Sequence, residues 1–362
     1  MSKVTMDSTA LKKAVNLAKI IKPEFNDLCF SFSFNALKIF SYDRRKRIVC
    51  NLGLDSDLKD EFYLSIDKVS LFDIASDSIE FAITDNQIKI KSKTGSNAKQ
   101  ATLKRKSSKI KRLPIPVLPT VDFCQIEKKV LTQILSAVSA AALIKETKTD
   151  EEMKINQIHF YRDHQSVFSS ARYYGSYVFS SHITFDLSIV SSDIPYIRNF
   201  LSKISSDLIK IYQSPTGTYF ADDSNSFLFL GKVNSQRPTF STYEFSEFKH
   251  QIKVPKTNLK EQLEWADKAV DGTQRISFIV NGSKLYLKNA SEEIAEMDID
   301  QVSDSNFSTD VPISYLSKLA ESIDGETILI GFDHKKTSTL MGLTDPDSSV
   351  QYLHLIQSMR PR

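Results

Sequence analysis

Residues 9–22 have the sequence TALKKAVNLAKIIK, in which apolar side chains recur at helical spacing. The stripe they form consists of Leu11, Ala14, Val15, Ala18 and Ile21. The lysines and Asn16 fall on the opposite face, so the stretch predicts an amphipathic helix with one buried side. Asp7 or Ser8 suits its N-cap, and Pro23 is expected to end it.

Two later stretches repeat this helical pattern, at residues 127–143 and 257–270. After each of the three helices the same order follows: a strand pair, a shorter helix and a closing strand pair. The predicted strand pairs cover 35–53, 155–181 and 275–299, the second helices 65–76, 191–205 and 308–322, and the closing pairs 79–93, 208–232 and 327–343. Within the third set, Asn281-Gly282 between alternating runs predicts a hairpin. Chance alternation of helices and strands in an α+β chain is the competing explanation.

Three matching units in 362 residues predict an α+β fold made of three consecutive copies of one domain, each with two helices packed on antiparallel sheets. Proline-containing extended segments at 112–123 and 236–245 mark the boundaries. The predicted domains are 1–122, 123–245 and 246–362.

The composition is that of an ordinary globular protein, with 41% hydrophobic and 25% charged residues. No apolar run reaches the length of a membrane span, and the N-terminus lacks an apolar signal core. The three cysteines are widely spaced, which favours reduced thiols and a cytoplasmic location. No membrane partner is expected.

The net charge of +3 conceals an uneven distribution. Residues 1–122 carry 22 Lys and Arg against 14 Asp and Glu, a balance of +8, which leaves −5 for residues 123–362. Residues 89–112 hold ten basic residues and no acidic one. Such a run favours contact with a polyanion, and a solvated loop is the other interpretation.

No motif of nucleotide, serine-hydrolase or zinc chemistry occurs in the sequence. His159 and His164 lie five residues apart across a predicted strand and turn, and a metal site needs further ligands at fixed geometry. The Asp222-Asp223 and Asp345–Asp347 segments are interpreted as turn formers. We therefore expect no catalytic residue, no metal and no cofactor.

Five segments resemble those of the beta sliding clamp of bacterial-type replication, in the same order along nearly the whole chain. LPTVDF (118–123) resembles the LPxxDF segment between the first two clamp domains, and INQIHF (155–160) an LNGMLF-type strand. ARYYGSY (171–177) stands where clamps have ATDGHRL, and KVNSQRPTF (232–240) resembles KLxDGRFPDY. QSMR (357–360) matches the terminal MPMR.

The chain also departs from that family's pattern. Arg172, Tyr173 and Tyr174 replace Thr, Asp and Gly, Gln357 and Ser358 replace Met and Pro, and Arg362 extends the tail. The basic balance is unusual as well, because bacterial clamps tend to be acidic. This divergence is typical of a phage-encoded or otherwise fast-evolving member.

The resemblance implies a ring of six domains formed by two head-to-tail subunits, with the first helix of each domain lining the hole. It implies sequence-independent contacts with double-stranded DNA from Lys12, Lys13, Lys19, Lys22, Lys128, Lys129, Lys260 and Lys268, with Arg198 and Lys203 on a second helix as further candidates. Lysine suits this role because its flexible, hydrated charge meets phosphates without reading bases. In the third helix Glu261, Glu264 and Asp267 lie among the lysines, so an ion-paired solvated face is equally expected there.

The resemblance further implies a hydrophobic groove between domains 2 and 3 that takes short peptides of the DNA polymerase, the clamp loader and other partners. Carried over by position, it consists of Ile155, Arg172, Tyr174, Gly175, Tyr177, Pro238, Tyr243, Leu355, Ser358, Met359 and Arg360. Met and Tyr suit such a surface because they give adaptable and large contact areas. Packing between domains is the competing interpretation, above all for Ile155 and Leu355.

The resemblance also implies closure of a homodimer between a strand near 99–106 in domain 1 and a strand near 275–280 in domain 3 of the other subunit. Leu103, Ile276 and Phe278 are the apolar candidates for that interface, while the basic run 104–112 fits either the interface or DNA at the rim. A monomeric or trimeric processivity factor with the same domains, and an α+β enzyme with an unrecognised site, are the alternatives to a dimeric clamp.

Overall fold

The computed structural model describes residues 2–23, 26–73, 76–105, 117–142, 157–171, 174–232, 245–270, 275–289, 292–302, 306–334, 338–348 and 351–359. Its elements repeat three times in one order: a strand, a helix, four strands, a second helix and three strands. The third set adds one two-residue strand. This order confirms the α+β prediction of three similar units.

The first set comprises β1 (Ser2–Asp7), α1 (Ser8–Ala18), β2 (Asp27–Ser33), β3 (Ala36–Tyr42), β4 (Lys46–Gly53), β5 (Asp60–Ser65), α2 (Ile66–Val69), β6 (Ser78–Ile83), β7 (Gln87–Thr94) and β8 (Asn97–Lys104). The second comprises β9 (Phe123–Glu127), α3 (Lys128–Ala142), β10 (Gln157–Tyr161), β11 (Ser166–Ala171), β12 (Tyr174–Phe179), β13 (Leu187–Val190), α4 (Ile194–Lys203), β14 (Leu208–Ser214), β15 (Gly217–Ala221) and β16 (Phe227–Gly231). The third comprises β17 (His250–Pro255), α5 (Lys256–Ala269), β18 (Arg275–Asn281), β19 (Lys284–Asn289), β20 (Glu292–Asp298), β21 (Asp300–Gln301), β22 (Phe307–Pro312), α6 (Ile313–Ser322), β23 (Thr327–His334), β24 (Ser338–Thr344) and β25 (Gln351–Met359).

Four antiparallel sheets contain these strands, and two of the sheets join neighbouring repeats. The eight-stranded sheet has the order β5-β2-β3-β4-β16-β15-β14-β9, and the nine-stranded sheet the order β13-β10-β11-β12-β25-β24-β23-β17-β21. The first junction, β4 with β16, and the second junction, β12 with β25, connect corresponding strands of successive repeats. The two remaining sheets have four strands each, β1-β6-β7-β8 and β20-β19-β18-β22.

Because strands are shared in this way, the compact units of the chain do not coincide with the repeats. One unit comprises residues 1–129 and 195–233, and the other comprises residues 130–194 and 234–362. The second repeat is divided between them. The domain limits at 122 and 245 therefore stay predictions, although β9 begins at Phe123 and β17 at His250.

A cluster of phenylalanines holds the two sheets of the first unit together. Phe30 on β2 stacks on Phe62 of β5, with 5.0 Å between ring centroids, and both rings lie about 6 Å from Phe81 on β6. Phe72, after α2, completes the cluster, and all four side chains are buried. Burial of each such ring contributes roughly 1.5–3 kcal/mol, so this core fixes the end sheet β1-β6-β7-β8 against the shared sheet.

The first helices were predicted well and the second ones less so. Asp7 is the N-cap of α1, where its Oδ1 accepts a hydrogen bond from the Ala10 amide at 2.6 Å. That helix ends at Ala18, earlier than the predicted Lys22. The predicted helix at 308–322 is wrong over its first five residues, because Ser308–Pro312 pair with β18 as part of β22. Within the described part of the chain, no helix is long and apolar enough to cross a membrane.

Candidate nucleic-acid and peptide interfaces

Two lysines, one from α3 and one from α4, donate to backbone carbonyls near the C-terminal ends of α4 and α1. Lys203, the last residue of α4, donates from Nζ to the Asn16 carbonyl on α1 at 2.7 Å. Lys128, the first residue of α3, donates from Nζ to the Ile204 carbonyl at 3.1 Å. Carbonyl oxygens at a helix C-terminus attract cations. The structure thus brings Lys128 and Lys203 together with α1, which carries two exposed lysines of its own.

The predicted DNA-contacting residues differ in how freely their charges reach solvent. Lys12, Lys13, Lys22, Lys129, Lys203 and Lys268 are exposed, and Lys19, Lys128, Arg198 and Lys260 are half-buried. Lys19 and Lys22 lie beyond the end of α1, and partial burial lowers the pKa of Arg198. On α5, Glu261, Glu264 and Asp267 are all exposed beside Lys260 and Lys268. The first helix of the third repeat, α5, therefore lacks the basic surface of α1.

The predicted groove residues that the structure describes gather at the second junction. Tyr177 on β12 and Leu355 on β25 belong to one apolar cluster with Leu353 and Phe248, all nine-tenths or more buried. Gly175 lies opposite Leu355 across the junction. For Tyr174, Ser358 and Met359 the backbone is described, within β12 and β25. Ile155, Arg172, Pro238, Tyr243 and Arg360 lie outside the described residues.

This architecture is similar to that of several solved structures. The chain matches the DNA polymerase III beta chain from Streptococcus pneumoniae over 100% of both chains, with a TM-score of 0.80 and 14% identity. It matches the DNA polymerase III subunit beta from Pseudomonas aeruginosa with a TM-score of 0.80 and 13% identity, and the beta subunit from Thermotoga maritima with 0.77 and 14%; each match covers 99% of this chain and 100% of the other. The chain has the sliding-clamp fold. No protein-family model and no curated protein matches the sequence.

Within the clamp fold, β25 is mostly an interior strand. Tyr352 to Ile356 belong to the part of β25 that pairs with β12 on one side, and β24 pairs with residues 354–359 on the other. Of the described strands, only β24 pairs with Gln357–Met359. Among the described strands, one backbone edge of β25 is therefore without a partner strand at residues 357–359.

A buried histidine fastens this clamp strand to two neighbouring elements. His354 Nδ1 lies 2.7 Å from Ser176 Oγ on β12, and its Nε2 lies 3.0 Å from Ser322 Oγ on α6. The side chain is fully buried, and burial lowers its pKa to about 3. The imidazole is therefore neutral at physiological pH and links β25, β12 and α6 through its two nitrogens.

We expect this histidine to make the protein acid-sensitive. Below pH 6.5 the unfolded chain binds a proton at His354 that the folded chain excludes until about pH 3, so the free energy of unfolding falls as pH drops through that window by about 1.4 kcal/mol per pH unit. In denaturant unfolding between pH 6.5 and 4.5, His354→Gln should reduce the slope of stability against pH by about that amount. Parallel slopes for the variant and the wild type would contradict the expectation.

The predicted interface residues divide between an edge and an interior. Leu103 is half-buried on β8, which pairs only with β7 among the described strands. The prediction for 275–280 is wrong, because β18 pairs with β19 on one side and β22 on the other. Ile276 and Phe278 are fully buried within their own repeat, and Phe278 lies 5.6 Å from the Phe332 ring. Among the described strands, the edges of this sheet are β20 and β22.

The basic run 104–112 is described only at its start. Lys104 is exposed, while Arg105 bonds the Asp60 carboxylate and, from Nη2, the Glu61 carbonyl at 2.7 Å. A guanidinium held in this way fixes the end of β8 against β5 and is not available to phosphates. Arg105 therefore has a structural role at the end of β8, and residues 106–112 lie outside the described residues.

Proposed function

We propose that the chain is a DNA sliding clamp, a non-enzymatic processivity factor of DNA replication. Two copies close head to tail into a ring that encircles double-stranded DNA, and a groove at the second junction tethers the DNA polymerase, the clamp loader and other partners. The match of the whole chain to beta clamps is the observation that carries this proposal. The setting is the cytoplasm of a bacterium or of a phage-infected one.

The way the repeats join supports ring closure. At both internal junctions the fourth strand of one repeat pairs antiparallel with the last strand of the next: β4 with β16, and β12 with β25. The corresponding strands left over are β20, the fourth strand of the third repeat, and β8, the last strand of the first. Each is an edge among the described strands. A third junction of the same kind, β20 with β8 of a second copy, continues the pattern and closes the ring.

Charge complementarity supports the same pairing. β8 has the sequence NAKQATLK, with Lys99 and Lys104 exposed and no acidic residue. β20 has the sequence EEIAEMD, with no basic residue. Opposite charges on facing strands favour association and reject wrong registers. β20 therefore replaces β18 as the third repeat's contribution to the interface.

Contacts with DNA in such a ring are electrostatic. The exposed lysines on and after α1, with Lys129 and Lys203, present positive charge and no base-reading geometry. Binding through phosphates weakens steeply with salt and leaves the protein free to slide. Retention then depends on closure of the ring.

The chain's single tryptophan provides a direct readout of DNA inside the ring. Trp265 lies on α5, the helix expected to face the hole in the third repeat, and is 62% exposed. We expect duplex DNA to change its fluorescence emission, because contact with DNA replaces the water around the indole. The variant Trp265→Phe, which lacks the indole, gives the background fluorescence. Emission that stays constant while a mobility shift records binding would place α5 away from the DNA.

Tyr174 should set the peptide preference of the groove. It replaces the glycine of ordinary clamps at the start of β12, where it pairs with Ile356. A bulky residue there narrows the groove, so Tyr174→Gly should bind a standard bacterial clamp-binding peptide about tenfold more tightly in fluorescence polarisation. Equal affinity for the wild type and the variant would refute a specificity role for this tyrosine.

A further inference from the structure

An aromatic row crosses the first junction on one face of the eight-stranded sheet. Strand register places six side chains side by side from β3 to β9. The row consists of Tyr42, Arg47, Phe229, Tyr219, Tyr212 and Phe123, and we call it the aromatic row. Its rings touch: Tyr219 lies 4.7 Å from Phe229, and Phe123 lies 5.2 Å from Tyr212.

The same positions at the second junction are built differently. In the strand register of the second junction, Gly342 and Gly331 occupy the positions that Tyr219 and Tyr212 occupy at the first. Phe248, in the segment before β17, lies over those two glycines and is buried. At the first junction the corresponding segment has Thr120 in place of Phe248. At the first junction the strands of the sheet supply the aromatic side chains, and the segment before β9 has no phenylalanine at this position to cover them.

Part of this surface is open to solvent. Phe123 is 46% exposed, and Val117 and Val121 in the segment before it are 64% and 44% exposed. Leu118 from the same segment packs against the buried core that contains Tyr212 and Phe229 of the row. Large apolar side chains grouped in this way are typical of interaction sites.

The positive charge of Arg47 beside the aromatic row favours a partner with an acidic group. The exposed Arg47 places its guanidinium 5.2 Å from the Phe229 ring centroid and forms no ion pair with a described residue. It ends a hairpin, DRRKR (43–47), that carries four cations and one carboxylate. Lys210 lies 5.8 Å from the Phe123 ring and is paired with Asp223 at 3.4 Å. Among the described residues, Arg47 is thus an exposed cation beside the row that has no ion-pair partner.

We propose that the first junction is a second docking site, which binds a short linear peptide with apolar anchors and an acidic residue. The apolar side chains lie on Phe123 and Tyr219, and the acidic side chain pairs with Arg47. Aromatic anchors with one charged partner are the usual basis of such recognition. This site is additional to the groove at the second junction and does not depend on ring closure.

The test is a selection of displayed random peptides on the wild-type protein, followed by polarisation measurements with each selected peptide. We expect one class of peptides to carry Asp or Glu beside aromatic or aliphatic residues. Arg47→Glu and Phe123→Ser should each weaken this class about tenfold or more. Arg44→Glu, from the same hairpin, and Phe34→Ser, a phenylalanine 65% exposed elsewhere, are the matched controls and should change affinity less than about twofold.

Three results would overturn the proposal. One is a selection that yields no binder, and another is a set of binders that respond only to Tyr174→Gly at the second junction. The third concerns single-stranded DNA, since bases also stack on aromatic rows beside arginine. If a labelled oligothymidylate binds with the same dependence on Arg47 and Phe123 and displaces the peptides, the site belongs to nucleic acid.

Discussion

Reversing two charges on β8 should convert the dimer into monomers. Lys99→Glu with Lys104→Glu places acidic side chains opposite the acidic strand β20 of the neighbouring copy. Like charges on facing strands disfavour pairing, and we expect the dissociation constant to rise about 100-fold or more, equivalent to about 2.8 kcal/mol. Light scattering should give twice 41.0 kDa for the wild type and 41.0 kDa for the variant. Lys59→Glu with Lys68→Glu makes the same charge change at exposed sites in the same repeat and should leave the dimer intact.

Restoring the dimer with a complementary variant of β20 tests the proposed interface more directly than disrupting the dimer does. Glu292→Lys, Glu293→Lys and Asp298→Lys together change the net charge of β20 from −4 to +2 and leave the Lys284–Glu296 pair in place. Each charge-reversal variant alone should be monomeric, because its β8 and β20 carry the same sign. Mixed together, both interfaces of the ring again join opposite charges, so a dimer of one chain of each kind should form. A mixture that stays monomeric would contradict the proposed closure of a dimer. A wild-type mass of one or three times 41.0 kDa would contradict it as well.

Removing the Phe248 ring should be strongly destabilising. The side chain is 4% exposed and lies over the paired glycines Gly331 and Gly342. A Cβ added at Gly342 would lie 2.5 Å from Phe248 Cζ, and one at Gly331 2.6 Å from Phe248 Cγ. We expect Phe248→Ala to lower the free energy of unfolding by about 3–5 kcal/mol, and Gly342→Ala by about 1–3 kcal/mol through displacement of the ring.

The coupling between these positions is what the geometry predicts. In the Phe248→Ala background the Cβ of Gly342→Ala enters the space that the ring vacated, so the second substitution should be nearly neutral. The double-mutant cycle by denaturant unfolding then gives an interaction energy of about 1–3 kcal/mol. Gly53→Ala is the control, since nothing lies within 4 Å of an added Cβ there. Additive effects at Phe248 and Gly342 would show that the ring does not depend on the glycines.

Local features of the sequence predicted local structure well. The apolar stripe from Leu11 to Ala18 is the buried face of α1, and Asp7 caps it. The Asn281-Gly282 hairpin connects β18 to β19, with Gly282 at a φ of +58°. The error at 308–312 arose because Ser, Thr, Asp and Pro favour both helix starts and strand ends, and pairing with β18 decides between them.

Pairing partners were not predictable in the same way, because they depend on residues far apart in the chain. The alternation of Ile276, Phe278 and Val280 identifies a strand without stating whether its edges are free. The acidic run of β20 held the better signal for an edge strand, since charged edges are common. The aromatic row was also hidden, because its six members come from six strands and lie up to 187 residues apart in sequence, from Tyr42 to Phe229.

Family likeness assigned the groove to the second junction but did not indicate which residues pack there. Tyr177 and Leu355 were expected in the groove, and both lie in the buried cluster of the second junction. Phe248 and His354 were not expected there. Neither has a distinctive sequence pattern, since one is an aromatic in a loop and the other a histidine in an apolar strand. A role in packing is visible only from the glycines and serines that the fold brings beside them.

Topological retention on DNA tests the central claim most directly. Gln100→Cys on β8 and Glu292→Cys on β20, in a Cys124→Ser background, allow a flexible bismaleimide to lock the ring after mixing with nicked circular duplex at low salt. The account predicts that locked protein stays on the circle through a wash at about 1 M salt, where phosphate contacts are screened, and leaves as soon as the circle is cut. Equal retention on circular and linear duplex, or loss from both in the wash, would contradict encirclement.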